Sequence, residues 1–325
     1  ISVISPTQFA VYFKYGYAKV SDDSGQFTAL VSTVDENNVL KIKVGTEGVD
    51  DPKGIDGTVL GLYQEFGSER VIDLPLAENG CMGFAIGSSM VGIRPIIIHQ
   101  RMDFLLLTMD QILNHAAKWS YMFGGHQSIP IVIKCTVGHG WGQGPTHSQS
   151  LHALFSHMPG IKVVMPSNPY DAKGLFINAI EDPNPVLFIE QYKCYSTKGE
   201  VPLEKYSINM GEGKIVKEGH DLTIVACGYL VQQALEAANI VSAKGINVEV
   251  LDLRSVSPLD SDLIIKSVAK TGRLIVADPG HKTNGLSAEI CAIVSENIQD
   301  KLRSNIVRVT FPDTPTPASS ELEKY

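Results

Sequence analysis

Apolar residues in this chain gather into short runs that alternate between two periods. Val71-Ile72-Asp73-Leu74, Arg94 to His99, Ile131 to Cys135, Ile161 to Pro166 and Pro185 to Glu190 are rich in β-branched and aliphatic residues over strand length. Runs of that kind predict strands covered on both faces. Between them apolar positions return every three or four residues, as in Ile112, Ala116, Trp119 and Phe123 ahead of Gly124-Gly125. That spacing predicts helices stopped by glycine. A shorter helix is expected from Leu60 to Phe66, and Lys41-Ile42-Lys43-Val44 reads as a strand. The alternation predicts an α/β fold with a doubly wound parallel sheet.

The pattern breaks at a polar stretch containing Gly and Pro, from Tyr192 to Gly213, which reads as a linker. It then resumes, with strands expected over Leu222–Ala226, Val248–Leu253, Arg273–Ala277 and Ile306–Phe311 and helices over Val231–Ala243, Ser261–Lys270 and Ala288–Glu296. The expected organisation is a first domain over 1–195, a linker over 196–212 and a smaller α/β domain over 213–325. Residues 1 to about 40 hold neither period for long, and they predict no element. Pro312 to Pro317 reads as extended surface chain.

Composition narrows the function classes. The chain has 325 residues, 44% hydrophobic and 19% charged, with no apolar run near the ~20 residues of a membrane span. A formal charge of -8 disfavours general nucleic-acid binding, which calls for a basic patch. A small molecule or a protein partner fits better. The five cysteines, Cys81, Cys135, Cys194, Cys227 and Cys291, are scattered and never form a Cys-x-x-Cys pair, so they read as reduced core thiols of a cytoplasmic protein. Ile1 to Ala10 lack the basic start and apolar stretch of a signal peptide.

Against that background Glu78 stands out, a lone carboxylate between the run at Val71–Leu74 and a helix-like segment that mixes Gly and Ala with bulky apolar residues. Strand-to-helix junctions are where α/β proteins place chemistry. An acid in the first helical turn also complements the helix dipole without further role. From the residues alone the dipole reading is slightly favoured. Glu47 is a second acid at an expected strand end. The loop Gly138-His139-Gly140-Trp141-Gly142-Gln143-Gly144 invites a phosphate reading, yet it lacks the Gly-Lys-Ser/Thr of a P-loop and the partner acid of a dinucleotide site. A loop presenting His147 is the preferred account. His147, His152 and His157 are spaced by five, so on a helix they turn away from one another and do not make a zinc pair. His152 and His157 read as packing or solvent-facing. There is no Gly-x-Ser-x-Gly elbow, and Asp50, Asp51 and Asp56 lack the closing Glu of an EF-hand.

Taken together, Glu78, Phe104 and His147 stand in stretches that resemble the beta subunits of thiamine-diphosphate-dependent 2-oxoacid dehydrogenases, the pyruvate and branched-chain type. The likeness runs from about Gly45 to the end. It rests on Glu47-Gly48-Val49, Arg70 to Glu78, Phe104 six residues before Asp110-Gln111, Ala116-Ala117-Lys118, His147-Ser148-Gln149, Pro159 to Pro166 and Asp171-Ala172-Lys173-Gly174-Leu175. The resemblance implies a pyrimidine-binding domain followed by a transketolase-type C-terminal domain. It implies that Glu78 hydrogen-bonds the aminopyrimidine of thiamine diphosphate, favouring the imino form that takes up the thiazolium proton. Phe104 is implied to stack on that ring, His147 to act near the substrate carboxylate and acyl-acceptor path, and Glu47 to be a second acid of the site.

In that family a Gly-Asp-Gly sequence holds the diphosphate and Mg2+, and this chain has none. The resemblance therefore implies an alpha subunit that supplies it, in an α2β2 heterotetramer, with no metal ligand on this chain. The implied reaction is decarboxylation of a small 2-oxo acid with acyl transfer to a lipoyl-domain protein or another acceptor. Two alternatives stand beside it: the C-terminal half of a split transketolase-like ketol transferase, and a non-catalytic subunit that stabilises its partner. His99-Gln100-Arg101-Met102-Asp103 is more polar than the family's usual stretch, which points to a polar or anionic donor or acceptor.

Overall fold

The structure is a computed structural model that describes residues 3–5, 8–14, 26–32, 41–46, 58–59 and 61–324. Where the periodicity predicts nothing, strands β1 (Val3–Ser5), β2 (Gln8–Lys14) and β3 (Gln26–Ser32) form an antiparallel sheet in the order β1-β2-β3. The segments are continuous rather than alternating in polarity, so the period-2 signal of a one-sided sheet is missing.

By contact the chain divides into two compact units, one built from residues up to 137 with 158–162 and 168–209, the other from 138–157, 163–167 and 210–325. In the first, strands β4 (Lys41–Thr46), β5 (Val71–Asp73), β6 (Ile93–His99), β7 (Val132–Val137) and β9 (Val186–Gln191) pair in parallel. Their order is β9-β7-β6-β4-β5. Residues 132–137 and 186–191 are buried throughout, as strands covered on both faces must be. The chain steps from β4 outward to β5, then returns through α2 (Glu78–Met90) to β6 on the other side of β4. The strand order thus reverses around β4, and the crevice beyond the carboxyl ends of β4 and β6 is where such sheets bind ligands.

Helix α1 (Leu62–Phe66) precedes β5. The helix expected through Ile112 to Phe123 is there, but with three pitches: a 3-10 turn over Met102–Thr108, a π-helix over Asp110–Ala116, and α3 (Ala117–Met122). Across the wide π turn, Asn114 donates to Asp110 at 2.7 Å and His115 lies 3.7 Å from it. Ile112, Leu113, Ala116 and Ala117 all face inward as a result. Helix α5 (Pro169–Glu181) starts at the Asn168 cap, whose Oδ1 accepts from Asp171 N at 2.9 Å.

The polar stretch after Tyr192 wraps α5. Lys173 Nζ donates to the carbonyls of Pro202, Leu203 and Glu204, and it sits 5.0 Å from the centre of the Tyr206 ring. Gly174 leaves room for Ile208, whose Cγ1 would be 2.6 Å from a Cβ there.

In the second unit, β10 (Lys214–Lys217), β12 (Val248–Asp252), β11 (Leu222–Ala226), β14 (Leu274–His281) and β15 (Val307–Phe311) form a five-stranded sheet in that order. Only β10 runs antiparallel. Helices α6 (Tyr229–Ser242), α7 (Ser261–Thr271) and α8 (Leu286–Ile298) accompany it. Residues Val163 and Val164 of β8 (Lys162–Val164) pair with β13 (Ser255–Ser257), and α4 (His152–Ser156) belongs to the same unit. The apolar core under α6 gathers Ile224, Ala226, Val231, Ala238 and Val250.

Cys135, Cys194 and Cys227 are buried thiols, whereas Cys81 and Cys291 are half-buried. Among the described residues no helix is long and apolar enough to cross a membrane.

Candidate active site

Glu78 is the first residue of α2, separated from the end of the parallel strand β5 by the four residues of the turn Leu74–Ala77. Ala77 provides no side-chain cap to this helix end, whose N–H groups favour a negative charge beside them. The Glu78 side chain is half-buried, and it makes no hydrogen bond or ion pair among the described residues. Phe104 lies in the 3-10 turn that follows β6, half-buried, with its N–H donating to Arg101 O at 3.2 Å. That turn packs against α2. Both residues thus leave the carboxyl ends of parallel strands, at one edge of one sheet. Glu47 lies outside the described residues.

The polar stretch before Phe104 is mostly turned inward. His99 and Asp103 are buried, whereas Gln100 and Arg101 are half-buried, with Arg101 Nη1 donating to Gln100 O at 2.7 Å. Burial pulls the His99 imidazole down to about 4, so it is neutral near pH 7, and its Nε2 has no hydrogen-bond partner among the described residues. Farther into the sheet, Lys134 Nζ meets Glu190 Oε2 at 2.7 Å, and Tyr195 OH donates to the same oxygen at 2.7 Å. All three are buried. Sequence periodicity hides this network, because its charges interrupt runs that are otherwise wholly apolar.

His147 belongs to the second unit, in the glycine-rich loop after β7. It is half-buried, its Nδ1 3.0 Å from Thr146 Oγ1. Trp141 Nε1 donates to Ser148 Oγ at 2.8 Å across the loop. Beside it, a cavity of about 470 Å³ is lined by Pro145, Gln149, His281, Thr283, Asp313 and Thr316, among others. Thr283 holds the Asp313 carboxyl below its ordinary range through its hydroxyl and its N–H.

His157 is exposed, whereas His152 is fully buried, with its Nε2 donating to Asp278 Oδ1 at 2.9 Å. Burial pushes the Asp278 carboxyl up. The hydrogen bonds from His152, Gly280 N and Ser287 N outweigh it and hold the group below the usual range. The spacing of five that separates His152 from His147 gives no hint of this pairing, whose partner lies 126 residues on.

Glu78 and Phe104 thus lie at the carboxyl edge of one parallel sheet, and His147 lies on a loop of the other unit. Comparison with known families identifies the class. The model for the transketolase pyrimidine-binding domain matches residues 8–196, and that for the transketolase C-terminal domain matches residues 211–325.

The chain is 47% identical over 270 residues to the beta subunit of acetoin:2,6-dichlorophenolindophenol oxidoreductase of Bacillus subtilis (strain 168), covering 83% of this chain and 79% of the relative. It is 43% identical over 271 residues to the beta subunit of the pyruvate dehydrogenase E1 component of the same organism, covering 82% and 83%. Among solved structures, an inactive beta4 tetramer of a split-gene transketolase matches with a TM-score of 0.70 at 27% identity, over 88% of this chain and 87% of that one. The chain belongs to the transketolase-like family of E1 beta subunits of thiamine-diphosphate-dependent 2-oxoacid and acetoin dehydrogenases.

Proposed function

We propose that this chain is the beta subunit of an enzyme that uses thiamine diphosphate to break the carbon–carbon bond beside the carbonyl of acetoin or a short 2-oxo acid, and passes the acyl unit to an acceptor. The observation that carries this reading is Glu78: a half-buried carboxylate with no partner among the described residues, at an uncapped helix start on the binding edge of the sheet. It fits the aminopyrimidine, whose ring nitrogen offers a hydrogen-bond partner, and Phe104 offers a flat face to the same ring. When bound, the cofactor supplies the carbanion that attacks the substrate carbonyl. Glu78 holds and exchanges the proton at the ring nitrogen, and Phe104 fixes the ring against α2. His147 supplies an imidazole for charge on the substrate or acyl group. Glu47 is assigned as a second acid of the reaction on the family resemblance alone.

The diphosphate and Mg2+ end falls to an alpha chain, in an α2β2 assembly. Support for a partner comes from large apolar side chains left exposed in the first unit, among them Leu76, Phe84, Leu107, Tyr121 and Met122. The acceptor is a lipoyl group or an equivalent carrier of the acyl unit.

The split-transketolase likeness keeps a second reading alive, transfer of a ketol unit between sugars. Co-expression with an alpha chain carrying Gly-Asp-Gly, followed by assay of acetoin, pyruvate, 2-oxoisovalerate and a ketose donor with an artificial dye acceptor, separates the two. Turnover of acetoin or a 2-oxo acid is expected. Turnover of the ketose alone overturns the proposal in favour of the second reading. Failure of the complex to bind thiamine diphosphate and Mg2+ in calorimetry would mark a non-catalytic subunit.

A further inference from the structure

The loop that carries His147 follows β7 in the chain, yet by contact it groups with the second unit. Gly138, Gly140, Gly142 and Gly144 all have positive φ, so its own backbone does little to restrict it. Beside the hydrogen bond from Trp141 to Ser148 within the loop, it is held by groups from far down the chain. At its start the His139 ring meets Phe311 edge-on, centroids 4.5 Å apart, and Gly140 N donates to Glu323 Oε1 at 3.1 Å. In the middle, Gly144 at φ +72 lies against Ala318, whose Cβ would be 3.3 Å from a Cβ at that position. Just past the loop, α4 is pinned by the buried hydrogen bond from His152 to Asp278, 2.9 Å long. These anchors bracket His147 on both sides, and in sequence Asp278 lies 126 residues from His152 and Glu323 lies 183 residues from Gly140.

We infer that the C-terminal part of the chain is the positioning element for His147: Phe311 and Glu323 fix the approach of its loop, and Asp278, acting through His152, fixes the exit. The inference rests on the role of His147 proposed above, and it adds residues that act through the loop rather than on the substrate. Placement of a reacting group matters steeply, since a displacement near 1 Å costs up to about 100-fold in rate. Glu323 is the sharpest probe. It accepts a single backbone hydrogen bond, half-buried, outside the core.

The test has two arms. In the full chain carrying Trp119→Phe, Trp141 is the remaining tryptophan of the two, and it sits inside the loop, so acrylamide quenching reports on loop order without any turnover. In the α/β complex the same substitutions are read as kcat and KM. Glu323→Ala and Phe311→Leu should raise the quenching constant about two-fold and lower kcat about ten-fold, with the donor KM unchanged within about two-fold. Glu323→Gln keeps an oxygen for the Gly140 N–H and should match the parent in both arms.

Unchanged quenching in Glu323→Ala overturns the inference. So does loosened quenching with an unchanged kcat, or a Glu323→Gln variant as impaired as Glu323→Ala. If the parent complex turns over neither acetoin nor a 2-oxo acid, the proposed function falls. The quenching arm then decides the anchoring by itself, with raised quenching in its favour and unchanged quenching against it.

Discussion

Burial holds the His99 imidazole at about 4, against 6.5 for the ordinary group. The unfolded chain therefore binds a proton between those two pH values that the folded chain does not. Stability is full above the unfolded value and drains as pH falls from 6.5 toward about 4, by roughly 3 kcal/mol from this group. From neutral to acid pH the urea midpoint of the parent should fall relative to that of His99→Phe; parallel curves would refute the assignment.

Asp278 is shifted in the same direction, with hydrogen bonds rather than burial as the cause, so its contribution too is lost as pH falls. Its carboxylate is held low by three donors, and Asp278→Ala strands a buried imidazole and two N–H groups. The expected cost is about 3–5 kcal/mol, visible as a large drop in the urea midpoint at pH 7, and a loss below about 1 kcal/mol would contradict the buried pair.

At the scale of elements, the Asp171-Ala172-Lys173-Gly174 stretch is legible in sequence as a family mark, but its physical task is not. The structure shows it docking the segment after Tyr192: Lys173 ties down three carbonyls, and Gly174 admits Ile208. Lys173→Met keeps the volume and leaves those carbonyls without a donor. About 1–3 kcal/mol should be lost, together with faster proteolysis between Val201 and Asn209. Equal protease sensitivity of variant and parent would count against that docking.

Periodicity predicts most strands and helices of both units to within a few residues, because fully buried strands announce themselves by continuous β-branched runs. It misses what depends on pairing. The antiparallel strands between Val3 and Ser32 have no alternation to read, and the π-helix over Asp110–Ala116 shares its apolar spacing with an ordinary helix. Gly138 to His157 belong by contact with chain that comes much later, and no local pattern encodes that. Glu78, Phe104 and His147 are visible in sequence only as members of a motif set. Geometry adds that Glu78 has no partner among the described residues and that His99 is buried, and it adds the Lys134–Glu190 and His152–Asp278 pairs.

At the scale of the whole molecule, the proposed function leaves one end of the cofactor to this chain and the other to an alpha subunit. The chain by itself should neither bind thiamine diphosphate with Mg2+ tightly nor turn over acetoin or a 2-oxo acid, and adding the alpha chain should restore both. The central claim is that Glu78 exchanges the proton at the aminopyrimidine. It is tested most directly by Glu78→Gln in the α/β complex, with cofactor titrated by calorimetry and turnover measured on the same sample. The account predicts binding within about ten-fold of the parent and turnover lowered by at least about 100-fold, the scale of a lost acid–base group. A Glu78→Gln complex that binds the cofactor and retains full turnover would contradict it.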